Sequence, residues 1–225
     1  MIIALAMNDL WDDILADDND ASSGVSFDDT SGVAGVSINQ TLVRPRAEKR
    51  YIQNEELHFF KAQQLSDLCP TPAPNEQWRI ITEKQFNAYA FILNVLTLRG
   101  IDELCLAIYR INEPTVESLM KLIDSGRIRK ALFIISSFFN QTKKPERWAI
   151  MLKEYCQDNP DNTKHIYCHN HSKVCLIRSQ EDYYVFEGSG NMSDNARIEQ
   201  YLYENNKQAY AFHKGWMLDL VNAQK

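Results

Sequence analysis

The stretch 171–191, HSKVCLIRSQEDYYVFEGSGN, decides the fold of this chain of 225 residues. It contains two short apolar runs, VCLI at 174–177 and YYVF at 183–186, with a polar turn between them. Short runs rich in apolar and aromatic residues and bounded by turn residues are typical of buried strands. The stretch therefore predicts two neighbouring strands in an antiparallel part of a sheet.

Polar side chains suited to an anion stand at the ends of these two strands. His171 and Lys173 are two positions apart, so their side chains share one face of the first strand. The second strand ends in Gly188-Ser189-Gly190-Asn191, whose glycines let backbone N–H groups approach an anion closely. These residues are the candidate phosphate-binding set.

The pattern H-x-K, a spacer and G-S-x-N resembles the signature of the phospholipase D superfamily. In that family a carboxylate shortly after the second motif orients the histidine, and Glu199 is the matching residue here. The family also usually has an Asp after its Lys, with four positions between them. Arg178 stands in that place, and Asp182 lies nearby but out of register. The resemblance extends less specifically over residues 76–222 and implies one half of a family enzyme.

The resemblance implies a metal-independent phosphodiesterase that needs no cofactor. Lys173 and the Asn191 amide would bind the non-bridging phosphate oxygens, and neutral imidazole at His171 is a competent nucleophile. Glu199 on the other ring nitrogen would fix the tautomer of His171. A second histidine must protonate the leaving oxygen, and the chain holds one copy of the motif. We therefore expect a homodimer with one shared active site.

Single-motif chains of this size resemble small bacterial or mobile-element nucleases, which favours nucleic acid as substrate, DNA before RNA. Two alternatives stay open: a catalytically silent nucleic-acid-binding protein and a lipid phosphodiesterase. Basic residues that could contact a nucleic-acid backbone are Lys143, Lys144, Arg147, Lys164, Arg178 and Arg197.

Two other readings of the histidines are disfavoured. His169-Asn170-His171 spells H-N-H, but the nuclease motif of that name needs dispersed residues and a metal. Cys168, His169, His171 and Cys175 lack C-x-x-C pairs, and strand alternation sends Cys168 and His169 to opposite faces. We predict no metal site. His165 and His169 are expected to be ordinary strand residues.

Working outward, apolar strand-like and helical patterns alternate through the segment 76–225. We predict an α/β fold with a layered mixed β-sheet flanked by helices on both faces. The predicted strands are 103–109, 130–136, 165–169, 173–178, 183–186 and 199–203. The predicted helices are 82–100, 114–126, 145–157 and one C-terminal helix carrying Tyr210, Phe212, Trp216, Leu218 and Leu220.

The first third of the chain has a different composition. Residues 1–45 are predicted to be an acidic flexible tail, because residues 1–40 hold eight Asp and no Lys or Arg. Such a tail can also dock a protein partner. The segment 46–75 is predicted as a polar helix over 47–68 followed by a proline-rich linker. Beyond residue 40 the chain carries 24 basic and 22 acidic residues (30 minus 8), close to neutral.

Compartment and membrane contact follow from the same composition. The five cysteines, Cys69, Cys105, Cys156, Cys168 and Cys175, are irregularly spaced and predict free thiols in a reducing, cytoplasmic compartment. No run approaches the roughly 18 consecutive apolar residues of a membrane-spanning helix, so no integral membrane contact is expected.

Overall fold

A computed structural model describes residues 46–50, 65–83, 87–141, 143–193 and 198–223. All of these residues belong to one unit of the chain, Thr41–Lys225. The predicted acidic tail, 1–45, lies outside the described residues, as does the segment 51–64.

The described residues form a mixed sheet of eight strands in the order β1-β2-β8-β7-β6-β3-β4-β5. The neighbours β3, β4 and β5 are parallel, and all other neighbouring pairs are antiparallel. The antiparallel part of the sheet predicted from 171–191 is therefore confirmed. The strands are β1 Arg46–Arg50, β2 Gln77–Glu83, β3 Glu103–Ile108, β4 Ala131–Ser136, β5 Thr163–Cys168, β6 Lys173–Ser179, β7 Asp182–Gly188 and β8 Ile198–Asn205.

Helices cover both faces of this sheet, which confirms the predicted α/β layering. They are α1 Leu65–Leu68, α2 Tyr89–Leu98, α3 Glu113–Asp124, a 3₁₀ turn Ser137–Asn140, α4 Arg147–Asp158 and α5 Lys207–Ala223. Helices α2, α3 and α4 pack on one face in the larger apolar core, and α5 packs on the other through Tyr210 and Met217. Burial on both faces explains why β4, ALFIIS, is apolar almost throughout.

Strand β2 was missed by the sequence reading and replaces the start of a predicted helix. Thr82, the first residue of the helix predicted over 82–100, is instead buried within β2. Trp78, Ile80 and Thr82 alternate inward along Gln77–Glu83, which is the period of a strand. Helix α2 begins only at Tyr89.

The segment 46–75 also differs from its prediction. Arg46–Arg50 is a strand paired antiparallel with β2, so the predicted helix over 47–68 is wrong at its start. Sheet pairing overrides the helical preference of these residues, because intrinsic propensity is only a weak determinant of structure. The proline-rich segment packs against the sheet, because Cys69 and Pro72 are buried and Asn205 donates to the Pro72 carbonyl at 3.2 Å.

Other predictions shift by a few residues or change face. Helix α4, predicted over 145–157, begins two residues later and buries Trp148, Leu152 and Tyr155, whereas Ile150 is exposed. In α5 the expected apolar residues Phe212 and Leu218 are exposed. All five cysteines are free thiols, as predicted. Among the described helices, none combines the length and the apolar character required to cross a membrane.

Candidate active site

The chain before β6, the ends of β3 and β7 and the start of β8 converge at one edge of the sheet. Lys173 is the first residue of β6 and pairs with Ile108, the last residue of β3. On the other side of β6, Val174 pairs with Glu187, so Gly188 ends β7 beside Lys173. The sheet register therefore brings the H-x-K and G-S-x-N motifs together at this edge.

His171 lies exposed just before β6 and is contacted by Lys173. The ammonium Nζ of Lys173 lies 3.3 Å from His171 Nδ1 and donates to the His171 backbone carbonyl at 2.8 Å. The Tyr109 ring packs on the imidazole with centroids 4.5 Å apart, and the Lys173 ammonium lies 5.4 Å from the same ring. An exposed imidazole held beside an ammonium suits attack on an anionic substrate.

Asn170, which the sequence reading did not single out, fixes the loop that carries His171. Its Nδ2 donates to the Ile134 carbonyl of β4 at 2.9 Å. Its Oδ1 accepts from the Ser172 backbone N–H at 2.9 Å and from the Ser172 hydroxyl at 2.5 Å. Asn170 thereby ties the loop between β5 and β6 to β4 and links the residues on both sides of His171. Its amide character was visible in the sequence, but its partner on β4 was not.

Glycine is required at position 188 because β7 and β8 approach closely there. A Cβ at Gly188 would lie 2.2 Å from the Gln200 carbonyl oxygen and 2.6 Å from Tyr201 Cδ1. The following residue, Ser189, donates its backbone N–H to the Gln200 carbonyl at 3.0 Å. Gly188 thus allows β7 and β8 to approach closely, and Ser189 continues the pairing of these two strands.

Glu199 contacts a different partner from the one expected. The resemblance places this carboxylate on the imidazole of His171, whereas here it accepts a short hydrogen bond from the Ser189 hydroxyl. The same Ser189 oxygen accepts from the Gln200 backbone N–H at 3.0 Å. Ser189 therefore links Glu199 to the end of β7, because its hydroxyl proton is already committed to the carboxylate.

The electrostatic environment of Lys173 combines two opposing effects. Partial burial lowers the pKa of Lys173, and the negative charge of Glu199 acts in the opposite direction and raises it. Glu199 is thus coupled electrostatically to the cation of the motif. A cation held at this edge can bind a phosphate oxygen.

Asn191 is oriented by the loop after β3. Its Oδ1 accepts from the Arg110 backbone N–H at 3.3 Å. The next residue, Met192, donates to the Arg110 carbonyl at 3.2 Å and accepts from the Asn112 N–H at 2.9 Å. An amide donates through its nitrogen alone, so a contact of Asn191 with a phosphate oxygen would be made by Nδ2. Gly190, between Ser189 and Asn191, is buried.

The two residues at and near the family's Asp position lie at the opposite edge of the sheet. Arg178 pairs with Glu103, five residues along β6 from Lys173, which is about 16 Å on an extended strand. Asp182 forms an ion pair with Arg99 at 2.8 Å and accepts from Asn205 Nδ2 at 2.7 Å. Both residues therefore contribute to packing away from His171.

The remaining described histidines are poorly placed to assist His171. Burial, followed by the charge of Lys153, lowers the pKa of the half-buried His165. His213 has both ring nitrogens occupied: Trp216 donates to Nδ1 at 3.2 Å, and Nε2 lies 3.5 Å from Glu187 Oε2. His169 is exposed directly after β5 and, unlike His171, is not followed by a Lys two positions later. His58 lies outside the described residues.

The basic residues named from the sequence separate into two groups. Lys143, Lys144 and Arg147 are exposed on the segment that follows β4, on the same side of the sheet as His171. Lys164 and Arg178 lie towards the opposite edge, and Arg197 is not among the described residues. Over the described ranges, no three His, Cys, Asp or Glu side chains cluster as metal ligands.

A cleft of about 670 Å³ opens beside the two motifs. It is bordered by Ser172 and Lys173 on one strand and by Glu187 and Gly188 on the next, with Arg79 and Gln200 further out. Its position gives a solvent-filled approach to the strand ends that carry the motifs.

Comparison with known proteins finds similarity among solved structures. No family model and no curated protein matches the chain. Nuc, a phospholipase D family member from Salmonella typhimurium, is 15% identical with a TM-score of 0.45, over 60% of this chain and 87% of that chain. The chain resembles a phospholipase D family member.

Two further solved structures are similar. Phosphatidylserine synthase from Haemophilus influenzae is 9% identical with a TM-score of 0.45, over 65% of this chain and 38% of that chain. Polyphosphate kinase from Porphyromonas gingivalis is 15% identical with a TM-score of 0.46, over 70% of this chain and 31% of that chain. The chain therefore spans most of Nuc but well under half of these two proteins.

Proposed function

We propose that this chain is a metal-independent phosphodiesterase, and specifically a nuclease that acts through a phosphohistidine at His171. The observation that supports it best is the meeting of His171 and Lys173 with Ser189, Asn191 and Glu199 at one edge of the sheet. The proposed binding groups for the phosphate are Lys173, the Asn191 amide and the backbone of Gly188 and Gly190, since the Ser189 backbone N–H is already paired with the Gln200 carbonyl.

The proposed reaction has two displacements. A ring nitrogen of His171 attacks phosphorus and forms a P–N bond, while the P–O bond to the leaving oxygen breaks and that oxygen takes a proton from a second histidine. Water then attacks the phosphohistidine, giving up a proton to the same second histidine, and releases His171. Lys173 stabilises the charge on the non-bridging oxygens in both steps. Glu199 acts on Lys173 by charge and on Ser189 by hydrogen bonding.

A homodimer supplies the second histidine in this proposal. His171 is the histidine of the one H-x-K motif, and His213 and His165 are occupied or half-buried. A two-fold axis near the strand ends would bring the partner subunit's His171 opposite the first across one isologous interface. Each subunit would also add a lysine and an asparagine to the shared phosphate.

Nucleic acid, DNA before RNA, is the proposed substrate. The exposed cations Lys143 and Lys144 stand on the His171 side of the sheet, where a phosphate backbone running into the site would pass them. We further propose that the chain works in a reducing, cytoplasmic compartment, which its five free thiols support. The acidic segment 1–45 is proposed to be a flexible tail that docks a protein partner.

A direct assay separates this proposal from the alternatives. Purified protein is incubated with labelled DNA, RNA and phospholipid in EDTA, beside a His171→Ala variant. We expect nucleic-acid cleavage that survives the chelator and is lost in the variant. Cleavage that needs added Mg²⁺ or Zn²⁺ would refute the mechanism. Release of a lipid headgroup would favour the lipid phosphodiesterase, and binding without cleavage would favour the silent protein.

A further inference from the structure

A row of aromatic rings leads from the protein surface to His171. Phe138 and Phe139 have centroids 5.2 Å apart, Phe139 and Tyr109 are 5.1 Å apart, and Tyr109 and His171 are 4.5 Å apart. The four rings come from three separate parts of the chain: the 3₁₀ turn after β4, the end of β3 and the loop before β6. Nothing in the H-x-K or G-S-x-N motifs requires this arrangement.

The outer ring of the row is exposed while the ring beneath it is anchored. Phe138 is 58% exposed, whereas Phe139 is only 6% exposed and packs on Trp148 with centroids 5.3 Å apart. Ser136 caps the turn by accepting from the Phe138 backbone N–H at 3.4 Å. The phenyl planes of Phe138 and Phe139 meet at 84°, so the anchored ring is not stacked face to face on the exposed one. The capped turn therefore presents a phenyl ring to solvent beside an anchored one.

The charges around the exposed ring favour a polyanion. The Arg110 guanidinium lies 5.8 Å from the Phe139 ring, and Lys143 and Lys144 are exposed beyond the turn. Arg147 forms an ion pair with Glu113 of α3 at 3.0 Å. Glu146, next to Arg147 in the chain, adds a second carboxylate. Four cations thus face two carboxylates along the approach to His171.

We propose that Phe138 is a stacking platform for an unpaired base, so that the substrate of this site is single-stranded nucleic acid. The inference rests on the proposed nuclease function and names its substrate class. A base stacked on Phe138, with its phosphates near Arg110 and Lys143, would lead the strand along the aromatic row to His171. A duplex keeps its bases inside the stack, so it cannot use the platform.

Binding measured in a cleavage-deficient background separates this inference from the nuclease proposal. In His171→Ala protein, the affinity for a fluorescein-labelled oligothymidylate is compared with that for its duplex and for an abasic strand of equal length. Adding Phe138→Ala should raise the Kd for oligothymidylate by roughly 5- to 100-fold. The Kd for the duplex and for the abasic strand should stay unchanged, because neither offers a base to stack.

Matched variants separate stacking from loss of apolar surface or folding. Phe138→Tyr should keep the affinity, whereas Phe138→Leu, which is apolar but has no ring face, should lose it. Leu98→Ala removes another exposed apolar side chain, 60% exposed at the opposite edge of the sheet, and should have no effect. Unchanged melting temperatures would confirm that each variant is folded.

Several results would overturn the platform. They are an unchanged Kd in Phe138→Ala, an equal loss for the abasic strand and the duplex, full affinity in Phe138→Leu, and no binding of oligothymidylate by the His171→Ala parent. Binding with these base-dependent effects in a chain that cleaves nothing would sustain the platform while refuting the nuclease.

Discussion

At the scale of single residues, the properties of the site depend on which partners its charged side chains and the Ser189 hydroxyl contact. Lys173 contacts His171 directly, and Glu199 is bound to Ser189 and acts on Lys173 through its charge. Glu199 therefore reaches His171, the proposed nucleophile, only indirectly. This arrangement differs from a carboxylate placed on the imidazole, and the difference can be measured.

The first prediction concerns the pH dependence of Lys173. Partial burial lowers the pKa of this lysine, so its ammonium loses its proton at a lower pH than an ordinary lysine. Because the ammonium form binds phosphate, kcat/KM should fall at alkaline pH before an ordinary lysine titrates. Lys173→Arg should remove this alkaline limb of the kcat/KM profile, since a guanidinium stays protonated. Lys173→Ala should cost about 2–4 kcal/mol of transition-state stabilisation. An alkaline limb that is identical in Lys173→Arg would assign the titration to another group.

The second prediction compares Glu199 with Ser189. Glu199→Gln removes the charge that raises the pKa of Lys173, so the alkaline limb of kcat/KM should move to lower pH. Ser189→Ala keeps that charge and removes only the hydrogen bond, so the rate should fall without a comparable shift of the limb. If Glu199→Gln lowers kcat and leaves the pH profile in place, Glu199 acts on His171 directly in the working enzyme.

At the scale of elements, the closeness of β7 and β8 places Ser189 and Glu199 in contact. Gly188 pairs with Tyr201, and the Gln200 carbonyl accepts the Ser189 backbone N–H. The strand ends at this edge therefore form one rigid frame for the motif side chains. A change in the packing of these two strands should alter the site without touching a functional group.

Gly188→Ala tests this frame against a glycine elsewhere. The added Cβ would collide with the Gln200 carbonyl and the Tyr201 ring, so we expect a loss of about 1–3 kcal/mol of stability and a large loss of activity. Gly215 lies within α5 with nothing within 4 Å of an added Cβ. Gly215→Ala should raise stability by roughly 0.5–1 kcal/mol, because alanine favours a helix. Thermal melting measures both, and equal melting temperatures for the two variants would contradict the close approach.

The elements that the sequence predicted are those with strong local patterns. The strands β3, β4, β6 and β7 are short apolar runs, and α3 has Asn112 as its cap and Pro114 in its first turn. The sequence does not predict β2, because its alternation of buried and exposed residues is short and the apolar pattern of helix α2 follows closely. Strand β1 is charged and is a strand through its partner β2.

In the candidate site, too, the sequence predicts the residues that a local pattern defines and not their distant partners. The motifs gave His171, Lys173, Gly188 and Asn191 because local chemistry defines them. The partner of Glu199 depends on the register between β7 and β8, and the contact of Tyr109 with His171 depends on the pairing of β3 with β6. These contacts join residues distant in sequence, which no local pattern specifies.

At the scale of the whole molecule, the proposal requires two subunits. One chain provides one H-x-K and one G-S-x-N motif, and the other described histidines are poorly placed to protonate a leaving group. The tail, 1–45, is proposed to be outside this catalytic unit. Strand β1, which pairs with β2, begins directly after it.

Mixed dimers test the shared site. Light scattering should give about twice the chain mass of 26.0 kDa. When wild-type and His171→Ala subunits are mixed in equal amounts and allowed to exchange, the activity per total subunit should fall to about a quarter of that of pure wild type, because only wild-type pairs hold two histidines. Half the activity, or a fully active monomer, would show that each chain works alone.

Removal of the tail tests the proposed domain boundary. Deleting residues 1–45 keeps Arg46–Arg50 and its pairing with β2, so the melting temperature should stay nearly unchanged. Affinity for nucleic acid should rise, because the deletion removes eight Asp and no basic residue apart from Arg44. A large drop in melting temperature would place the tail within the folded unit.

Trapping the covalent intermediate is the most direct measurement of the central claim. Wild-type protein is mixed with a nucleic-acid substrate in EDTA and quenched in alkaline denaturant, which preserves phosphohistidine, and the modified peptide is identified by mass spectrometry. We predict an adduct of the cleaved strand on His171, absent from His171→Ala protein. Cleavage without any adduct on His171, or full activity in His171→Ala, would contradict the account.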